Sequence, residues 1–323
     1  MSLATTRTAT LNNGKKIPLL GLGTVPSNDN PAGVKDQVIA AVKAGYRHID
    51  CAWFYGTEKY VGQALSELFK EGVVKREDLF ITTKVWPSYY HSPEKSLDAS
   101  LKDLQIDYVD LLLQHWPICL HGDENGLPSI PKDKDGNIIY DDDPASGTKF
   151  ISVYHSMEDL LDRSTKVRSI GVSNYSISKL KQLLPEVKKH IPVVDQIEYH
   201  PKLPQQDLVD FAQENGILIE AYSPVGSEGA PVLKLPLVKS LAEKYNVTVN
   251  EVAYAYHILN GRAALPRSSN LERISTNINL PSLTREELDE LYALGKESPE
   301  RYINDPWGYG LGFKWWKGDT LSK

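Results

Sequence analysis

Four side chains of complementary chemistry occur at the ends of three successive apolar runs, or directly after them: Asp50, Tyr55, Lys84 and His115. If these runs are parallel strands, their carboxyl ends meet at one edge of the sheet. A carboxylate, a phenol, an ammonium and an imidazole held together suit proton transfer to a carbonyl oxygen while a hydride reaches its carbon. The pattern therefore predicts an oxidoreductase that acts on carbonyl groups.

Tyr55 is the predicted proton donor. A free tyrosine has a pKa of about 10, so it is a slow acid–base group near neutral pH. The ammonium of Lys84 would favour the phenolate and lower that pKa, and Asp50 would keep a buried Lys84 charged. His115 would hydrogen-bond the carbonyl oxygen and orient it.

Each of these residues also has a structural explanation when it is taken alone. Asp50, at a strand end, could cap a helix, and Tyr55 and Lys84 could be surface residues. His115 could be held by hydrogen bonds in the core. Four compatible groups on three successive strand ends favour the catalytic interpretation.

Strand and helix patterns alternate along the chain. Short apolar runs predict buried parallel strands at 20–22, 48–50, 79–83, 108–114, 169–172, 193–197, 217–222 and 263–265. Helical patterns lie at 34–44, 57–70, 93–104, 151–161, 176–184, 205–215, 250–259 and 271–278. Eight such alternations predict an α/β fold, a (β/α)₈ TIM barrel that residues 1–323 form as a single domain. Periodicity alone does not distinguish this barrel from an open doubly wound sheet.

Three segments fall outside the alternation. An N-terminal β-hairpin is predicted from residues 8–11 and 15–17, whose connection Asn12-Asn13-Gly14 favours a type I′ turn. The polar segment 120–147 follows the fourth strand, so it should form a long loop over the C-terminal face of the barrel. The tail 302–323 should pack over that face or against the outside of the barrel. Beyond Tyr302, its aromatic residues are Trp307, Tyr309, Phe313, Trp315 and Trp316.

Composition excludes several classes of protein. The net charge of −6 and the absence of a dense Lys/Arg run argue against nucleic acid and anionic membranes as partners. No stretch approaches the roughly 20 apolar residues of a transmembrane helix, and residues 1–7 lack the apolar core of a signal peptide. With only Cys51 and Cys119 available, a disulfide framework is not expected. We expect a reduced cytoplasmic protein with a small-molecule substrate and no metal site, and the oligomeric state is not predicted.

Six motifs together resemble the aldo-keto reductases, and the resemblance runs from about residue 8 into the tail. They are GYRHIDCA (45–52) followed by YG (55–56), TKVW (83–86), LLQHWP (112–117), IGVSN (170–174), QIEYHP (196–201) and AYSP (221–224). The family implies a (β/α)₈ barrel with Asp50, Tyr55, Lys84 and His115 as its catalytic tetrad. Segments 79–87, 237–239 and 241–248 resemble the fungal D-arabinose dehydrogenase branch of the family.

The resemblance also implies how a nicotinamide cofactor is held, since no G-x-G-x-x-G motif follows a strand. Ser173, Asn174 and Gln196 would bond the carboxamide, and Tyr222 would stack on the nicotinamide ring. The residues that follow Tyr222 and would also contact the cofactor are Ser223, Pro224 and Gly226. Alternatively, Ser173 and Asn174 could cap the next helix.

The segment 265–273 opens the last predicted helix, where backbone amides attract anions. Arg267 and Arg273 can chelate a phosphate, which favours the 2′-phosphate of NADPH and leaves NADH as a weaker alternative cofactor. The other implied cofactor contacts are Ser268, Asn270 and, at the adenine, Asn277. Thr276 replaces a Glu that is frequent in relatives, which puts one adenine contact in doubt. The two arginines could also belong to a solvated helix face.

Aromatic residues next to the tetrad should line the substrate pocket. Phe54, Trp86 and Trp116 lie next to tetrad members in the sequence, and His115 itself should contact substrate. Val25 occupies a position where many relatives have Trp, which predicts a wider mouth. Trp307 and Tyr309 of the tail could close the pocket or simply pack.

These observations predict an NADPH-dependent reductase of aldehydes and ketones, with diketones and keto-lactones among the candidates. The resemblance adds oxidation of aldoses such as D-arabinose to lactones. Two alternatives are a catalytically quiet NADPH-binding sensor or regulatory subunit on the same fold, and an unrelated barrel whose Arg267 and Arg273 bind a phosphorylated substrate.

Overall fold

A computed structural model describes residues 2–26, 30–122, 130–303 and 311–316. The strands in these ranges are β1 (Ser2–Leu3), β2 (Thr8–Thr10), β3 (Lys16–Pro18), β4 (Leu22–Gly23), β5 (His48–Asp50), β6 (Phe80–Val85), β7 (Leu111–Gln114), β8 (Ile170–Ser173), β9 (Val194–Glu198), β10 (Leu218–Tyr222), β11 (Ala263–Leu265) and β12 (Asn279–Leu280).

Strands β4 to β11 form one parallel sheet in sequential order. The sheet closes on itself, because Leu20 forms a parallel bridge with Ala264 and the amide of Gly21 donates to the Ala264 carbonyl at 2.9 Å. A further bond of 2.9 Å joins the Gly23 amide to the Pro266 carbonyl. The structure therefore confirms the TIM barrel and excludes the open doubly wound sheet.

Helices surround the barrel on the outside. They are α1 (Val34–Lys43), α2 (Glu58–Lys70), α3 (Pro93–Leu104), α4 (Lys149–Arg163), α5 (Ile177–Leu183), α6 (Gln206–Glu214), α7 (Pro236–Tyr245), α8 (Val249–Ile258), α9 (Leu271–Thr276) and α10 (Arg285–Glu297). Their buried stripes face the strands, as in α2, where Val61, Leu65 and Leu68 are buried.

Two of these helices, α7 and α10, were not predicted from the sequence. Helix α7 begins at Pro236 and buries Val238 and Leu241. Helix α10 begins after a capping box in which Thr284 and Glu287 bond each other's backbone amides. Because Thr-x-x-Glu before an apolar stripe is a recognised helix start, α10 had a readable signal.

The N-terminal hairpin is confirmed, but its predicted turn type is wrong. In a type I′ turn both central residues have positive φ. In this connection Gly14 has a positive φ, of +81°, whereas Asn12 and Asn13 do not. The Gly14 amide donates to the Leu11 carbonyl at 2.9 Å. Asn12 and Asn13 therefore form an ordinary turn that Gly14 ends. Ahead of the hairpin, β1 pairs antiparallel with β12.

Two segments lie beside the C-terminal face of the barrel. In the loop after β7, Leu120 bridges Tyr140, and residues 123–129 lie outside the described part. In the tail, Trp307 and Tyr309 also lie outside it, whereas Trp316 is buried with its ring 6.5 Å from Trp116. The described tail therefore contacts a residue next to the fourth barrel strand. Across the four described ranges, no helix is long and apolar enough to cross a membrane.

Candidate active site

A cleft of about 720 Å³ opens at the carboxyl ends of the barrel strands. Most of the predicted site residues line it: Asp50, Phe54, Tyr55, Trp86, His115, Trp116, Ser173, Asn174, Gln196, Tyr222, Ser223, Pro224, Gly226, Arg267, Ser268 and Arg273. Three predicted residues do not line this cleft. They are Lys84, which lies beneath its floor, and Asn270 and Asn277.

Lys84 joins Asp50 and Tyr55 at the floor of the cleft. The parallel register of β5 and β6 sets Asp50 opposite Thr82, and Lys84 lies two residues further along β6, on the same face of the sheet as Thr82. The Lys84 ammonium, fully buried, donates to Asp50 Oδ1 at 2.6 Å, to the Cys51 carbonyl at 3.0 Å and to the Tyr55 hydroxyl at 3.1 Å. Asp50 is not a helix cap, since Thr57 precedes α2.

The pKa of Tyr55 differs from the sequence-based expectation. Burial raises it to about 12, and the Lys84 ammonium, which lowers it, offsets only part of that effect. Burial also disfavours the charged form of Lys84, but Asp50 and Tyr55 outweigh it and raise the Lys84 pKa. The site at neutral pH is therefore a neutral phenol bonded to an ammonium, which suits a proton donor.

His115 is neutral. Burial, with a contribution from the Lys84 charge, lowers its pKa well below the ordinary value. Among the described residues its buried Nδ1 has no hydrogen-bond partner, and a bare lone pair is cheaper to bury there than an unpaired N–H. The proton therefore belongs on the other ring nitrogen, which makes His115 a neutral hydrogen-bond donor beside Tyr55, 5.8 Å away between ring centroids.

Aromatic rings form one wall of the cleft. Phe54 stacks on Trp86 with an angle of 5° between the rings, and Trp86 meets His115 edge-on at 5.2 Å. Trp116 continues the wall beside His115. Val25 lines the cleft and is exposed, so the wider mouth predicted from this small residue is consistent with its position.

Polar side chains gather where β8, β9 and β10 end. Asn174, whose φ is +62°, donates to the His115 carbonyl at 3.0 Å and accepts from the Tyr222 hydroxyl at 2.8 Å. Ser173 Oγ donates to the Gln196 carbonyl at 2.8 Å. Neither Ser173 nor Asn174 caps helix α5, because Ser176 does so.

Two arginines lie at the other end of the cleft, around the start of α9. Arg267 and Arg273 are exposed and line the cleft, and Arg267 donates to the Pro26 carbonyl at 2.7 Å. Asn270 caps α9 by accepting from the Arg273 amide at 2.8 Å, so it positions the arginine.

Asn277 does not line the cleft, and its contact with adenine stays a prediction. It is buried at the end of α9, and its Oδ1 accepts from Thr248 Oγ1 at 2.9 Å. Helix α9 ends at Thr276, two residues earlier than predicted, and Asn277 is the residue at its C-terminal cap.

Other residues that line the cleft were not predicted from the sequence. The turn after β10 adds Ser227, Glu228 and Gly229, and the tail adds Ile303. The small residues and two glycines after Tyr222 were a readable signal for a loop that lets a ligand approach its backbone. Glu220, which is buried inside the barrel, was concealed by the apolar pattern of β10.

A (β/α)₈ barrel whose strand ends hold a buried lysine–carboxylate pair, a tyrosine and a histidine under an aromatic cleft defines an oxidoreductase of the aldo-keto reductase type. Residues 19–296 match the model of the Aldo/keto reductase family, and the chain belongs to that family.

Relatives resemble this chain over nearly its whole length. Glycerol 2-dehydrogenase (NADP(+)) of Saccharomyces cerevisiae is 41% identical over 93% of this chain and 95% of its own. D-galacturonate reductase of Hypocrea jecorina is 42% identical over 94% of this chain and 96% of its own. A solved aldose reductase from Schistosoma japonicum is 32% identical with a TM-score of 0.80, covering 89% of this chain and 92% of that one.

Proposed function

We propose that this protein is an NADPH-dependent reductase that converts aldehydes and ketones to alcohols, with Tyr55 as its proton donor. The observation that carries the proposal is the chain of contacts from Asp50 through Lys84 to Tyr55 at the floor of the cleft. It supplies a proton donor at the point where charge develops on a reduced carbonyl oxygen.

The donor set of the cleft fits NADPH. One end carries amide and hydroxyl groups with the ring of Tyr222, which suits a carboxamide on a flat aromatic ring. The other end carries Arg267 and Arg273 at a helix start, which suits phosphate groups. Both arginines are exposed at the cleft, where a bound phosphate group can reach them. We assign the 2′-phosphate of NADPH to them. NADH, which lacks that phosphate, is the weaker alternative.

When bound, NADPH supplies a hydride to the carbonyl carbon. The residues of the chain manage the proton and the geometry. Tyr55 donates its hydroxyl proton to the carbonyl oxygen, and the Lys84 ammonium at 3.1 Å stabilises the phenolate that remains. Asp50 keeps Lys84 charged in its buried position. The neutral imidazole of His115 orients the carbonyl oxygen by a hydrogen bond.

The shape of the cleft supports a broad range of carbonyl substrates. Phe54, Trp86 and Trp116 provide an apolar wall, and His115 and Tyr55 provide polar groups beside it. We include diketones and keto-lactones among the substrates, and oxidation of aldoses such as D-arabinose to lactones as the reverse reaction. Two relatives have names that involve a polyol and a sugar acid, which supports hydroxylated substrates.

The proposal extends to the setting of the enzyme. We assign residues 1–323 to a single domain and the protein to the cytoplasm. Cys51 and Cys119 are buried and unpaired, and burial raises the pKa of the Cys119 thiol to about 12, so both suit inert core positions in a reducing compartment.

The test mixes purified protein with NADPH, and separately with NADH, and follows cofactor oxidation on simple aldehydes, diketones and keto-lactones. D-arabinose with NADP⁺ tests the reverse direction. Faster turnover with NADPH than with NADH supports the proposal, and the ranking of the panel identifies the substrate class. Tight NADPH binding without turnover on any compound would contradict it and favour a sensor.

A further inference from the structure

A second buried carboxylic acid lies next to the tetrad, inside the barrel. Glu220 on β10 is fully buried, and its Oε2 accepts a bond of 2.6 Å from Gln196 Nε2. The same nitrogen donates to Asp50 Oδ1 at 2.9 Å. One amide group therefore links Glu220 to the carboxylate that holds Lys84.

The other oxygen of Glu220 points to a nitrogen that cannot donate. Oε1 has no hydrogen-bond partner among the described residues and lies 3.5 Å from His48 Nε2. His48 Nδ1 lies 3.1 Å from the Pro18 carbonyl, which can only accept, so Nδ1 carries the ring proton. Burial lowers the pKa of His48 to about 4, and its Nε2 is therefore a lone-pair acceptor at neutral pH.

Two acceptors that face each other inside a dry barrel repel unless one carries a proton. A proton on Glu220 Oε1 removes this conflict, since the acid then donates to His48 Nε2 and still accepts from Gln196. Thr82 Oγ1, 3.3 Å from the same His48 nitrogen, is the other polar group there. Burial, reinforced by the negative charge of Asp50, raises the pKa of Glu220, which agrees with the geometry.

We propose, on the basis of the proposed reductase function, that Glu220 is a positioning residue. It holds a proton that it donates to His48, and through Gln196 it fixes the Asp50 carboxylate against Lys84. Its neutrality leaves Asp50 as the carboxylate that balances the Lys84 charge. The titratable groups that face Glu220 are His48 and Asp50 on β5 and Lys84 on β6.

The uncharged strand neighbours of Glu220 complete this environment. In the parallel register, Gln196 on β9 and Ala263 on β11 lie opposite Glu220. Ionisation of Glu220 would therefore add a second negative charge close to Asp50, and among the described residues Lys84 is the cation that acts on both. That charge would stabilise the Lys84 ammonium and disfavour the Tyr55 phenolate, which alcohol oxidation requires.

The substitution Glu220→Gln reproduces the protonated acid, because its amide oxygen can accept from Gln196 and its amide nitrogen can donate to His48. We expect turnover near that of the wild type at neutral pH. In alcohol oxidation with NADP⁺, the rise of kcat with pH should move to lower pH by roughly half a unit or more. Glu220→Leu removes both bonds and should lower kcat about 10- to 100-fold.

A cofactor-free measurement tests the proton itself. An acid that stays protonated when folded destabilises the protein as pH rises above about 4.3, where the unfolded carboxyl ionises. The wild type should therefore lose stability relative to Glu220→Gln as the pH rises. The unfolding free energy of Glu220→Gln minus that of the wild type should become larger between pH 5 and pH 7. A matched control is Asp195→Asn, because Asp195 on β9 is also a buried acid, with its pKa raised by burial. It should leave the pH profile of turnover unchanged.

Two results would overturn the proposal. If Glu220→Gln loses activity as severely as Glu220→Leu, the negative charge of Glu220 is required. If the stability difference does not vary with pH, the folded protein does not hold the proton. If the wild type reduces no carbonyl compound with NADPH, the proposed function fails, and the cofactor-free unfolding still decides whether Glu220 is protonated.

Discussion

The ammonium of Lys84 lies 3.1 Å from the hydroxyl oxygen of Tyr55, beneath the floor of the cleft. This contact places a fixed positive charge next to the group that would lose a proton. Since burial by itself holds the pKa of Tyr55 high, the phenol needs this partner to release its proton at a useful rate.

Removing the Lys84 ammonium should impair catalysis and stability together. In Lys84→Met, Tyr55 loses its cation, and we expect kcat to fall about 10²- to 10⁴-fold. Asp50 is left as a buried charge without its ion pair, so the free energy of unfolding should drop by about 3–5 kcal/mol. Steady-state kinetics and urea unfolding measure the two effects.

The matched control for this change is Lys179→Met. Lys179 is also buried, has no hydrogen-bond partner among the described residues, and lies over the ring of Phe150. This variant should keep the wild-type kcat. An equal loss of kcat in both variants would mean that Lys84 acts through packing alone.

Arg273 should distinguish the two nicotinamide cofactors. We expect Arg273→Ala to raise the KM for NADPH about 10- to 100-fold, because a charge-assisted bond to the 2′-phosphate is lost. The KM for NADH should stay nearly constant. Arg285→Ala, on the exposed face of α10, removes an arginine that pairs with Asp289 and should change neither constant. Equal effects of Arg273→Ala on both cofactors would refute a 2′-phosphate contact.

Val25 should control the size of the substrates that enter. Val25 lines the cleft and is exposed, so Val25→Trp places a large ring at the mouth of the cleft where the wild type has a small side chain. We expect kcat/KM for bulky ketones to fall about tenfold, while kcat/KM for a small aldehyde is preserved. A uniform loss across a series of substrates of increasing size would contradict this steric role.

His257 should make the protein less stable in acid. Burial and the nearby Arg262 charge hold the pKa of His257 well below its ordinary value of about 6.5. Below that pH the unfolded chain takes up a proton that the folded chain cannot, which costs about 1.4 kcal/mol per pH unit.

The variant His257→Phe lacks this penalty. Its unfolding free energy relative to the wild type should be constant above about pH 7.5 and should increase as the pH falls from 6.5 to 5. Urea unfolding of both proteins at a series of pH values measures the difference. A difference independent of pH would show that His257 does not stay neutral when folded.

The barrel was predictable from the sequence because buried parallel strands leave short apolar runs, such as 48–50 and 263–265, that match the structure residue by residue. Periodicity alone did not distinguish a closed sheet from an open one, because closure depends on the bonds between the segment around Leu20 and Ala264, more than 240 positions apart. Helix α7 was missed although its apolar stripe was present.

The site was predictable where residue type and strand position coincide. The positions of Asp50, Lys84 and His115 at strand ends followed from the apolar runs. The pKa of Tyr55 did not, because burial, which raises it, cannot be judged from the residues that flank it. The end of α9 was predicted two residues too late, and the contact of Asn277 with adenine stays a prediction.

Glu220 could not be recognised from sequence for a different reason. A single acidic residue in an apolar strand gives no indication of whether it faces the barrel interior or the helices. Its link to Asp50 depends on Gln196, which lies 24 positions earlier in the chain. Such contacts across neighbouring strands arise only from the register of the sheet.

The most direct test of the proposed function is the rate of carbonyl reduction by Tyr55→Phe, with NADPH binding measured on the same protein. We predict that kcat falls at least about 10²-fold, because the proton donor is lost, while the Kd for NADPH is little changed. Tyr60→Phe, on helix α2 and outside the cleft, should retain the wild-type rate. Wild-type turnover in Tyr55→Phe would contradict the assignment of Tyr55 as the proton donor.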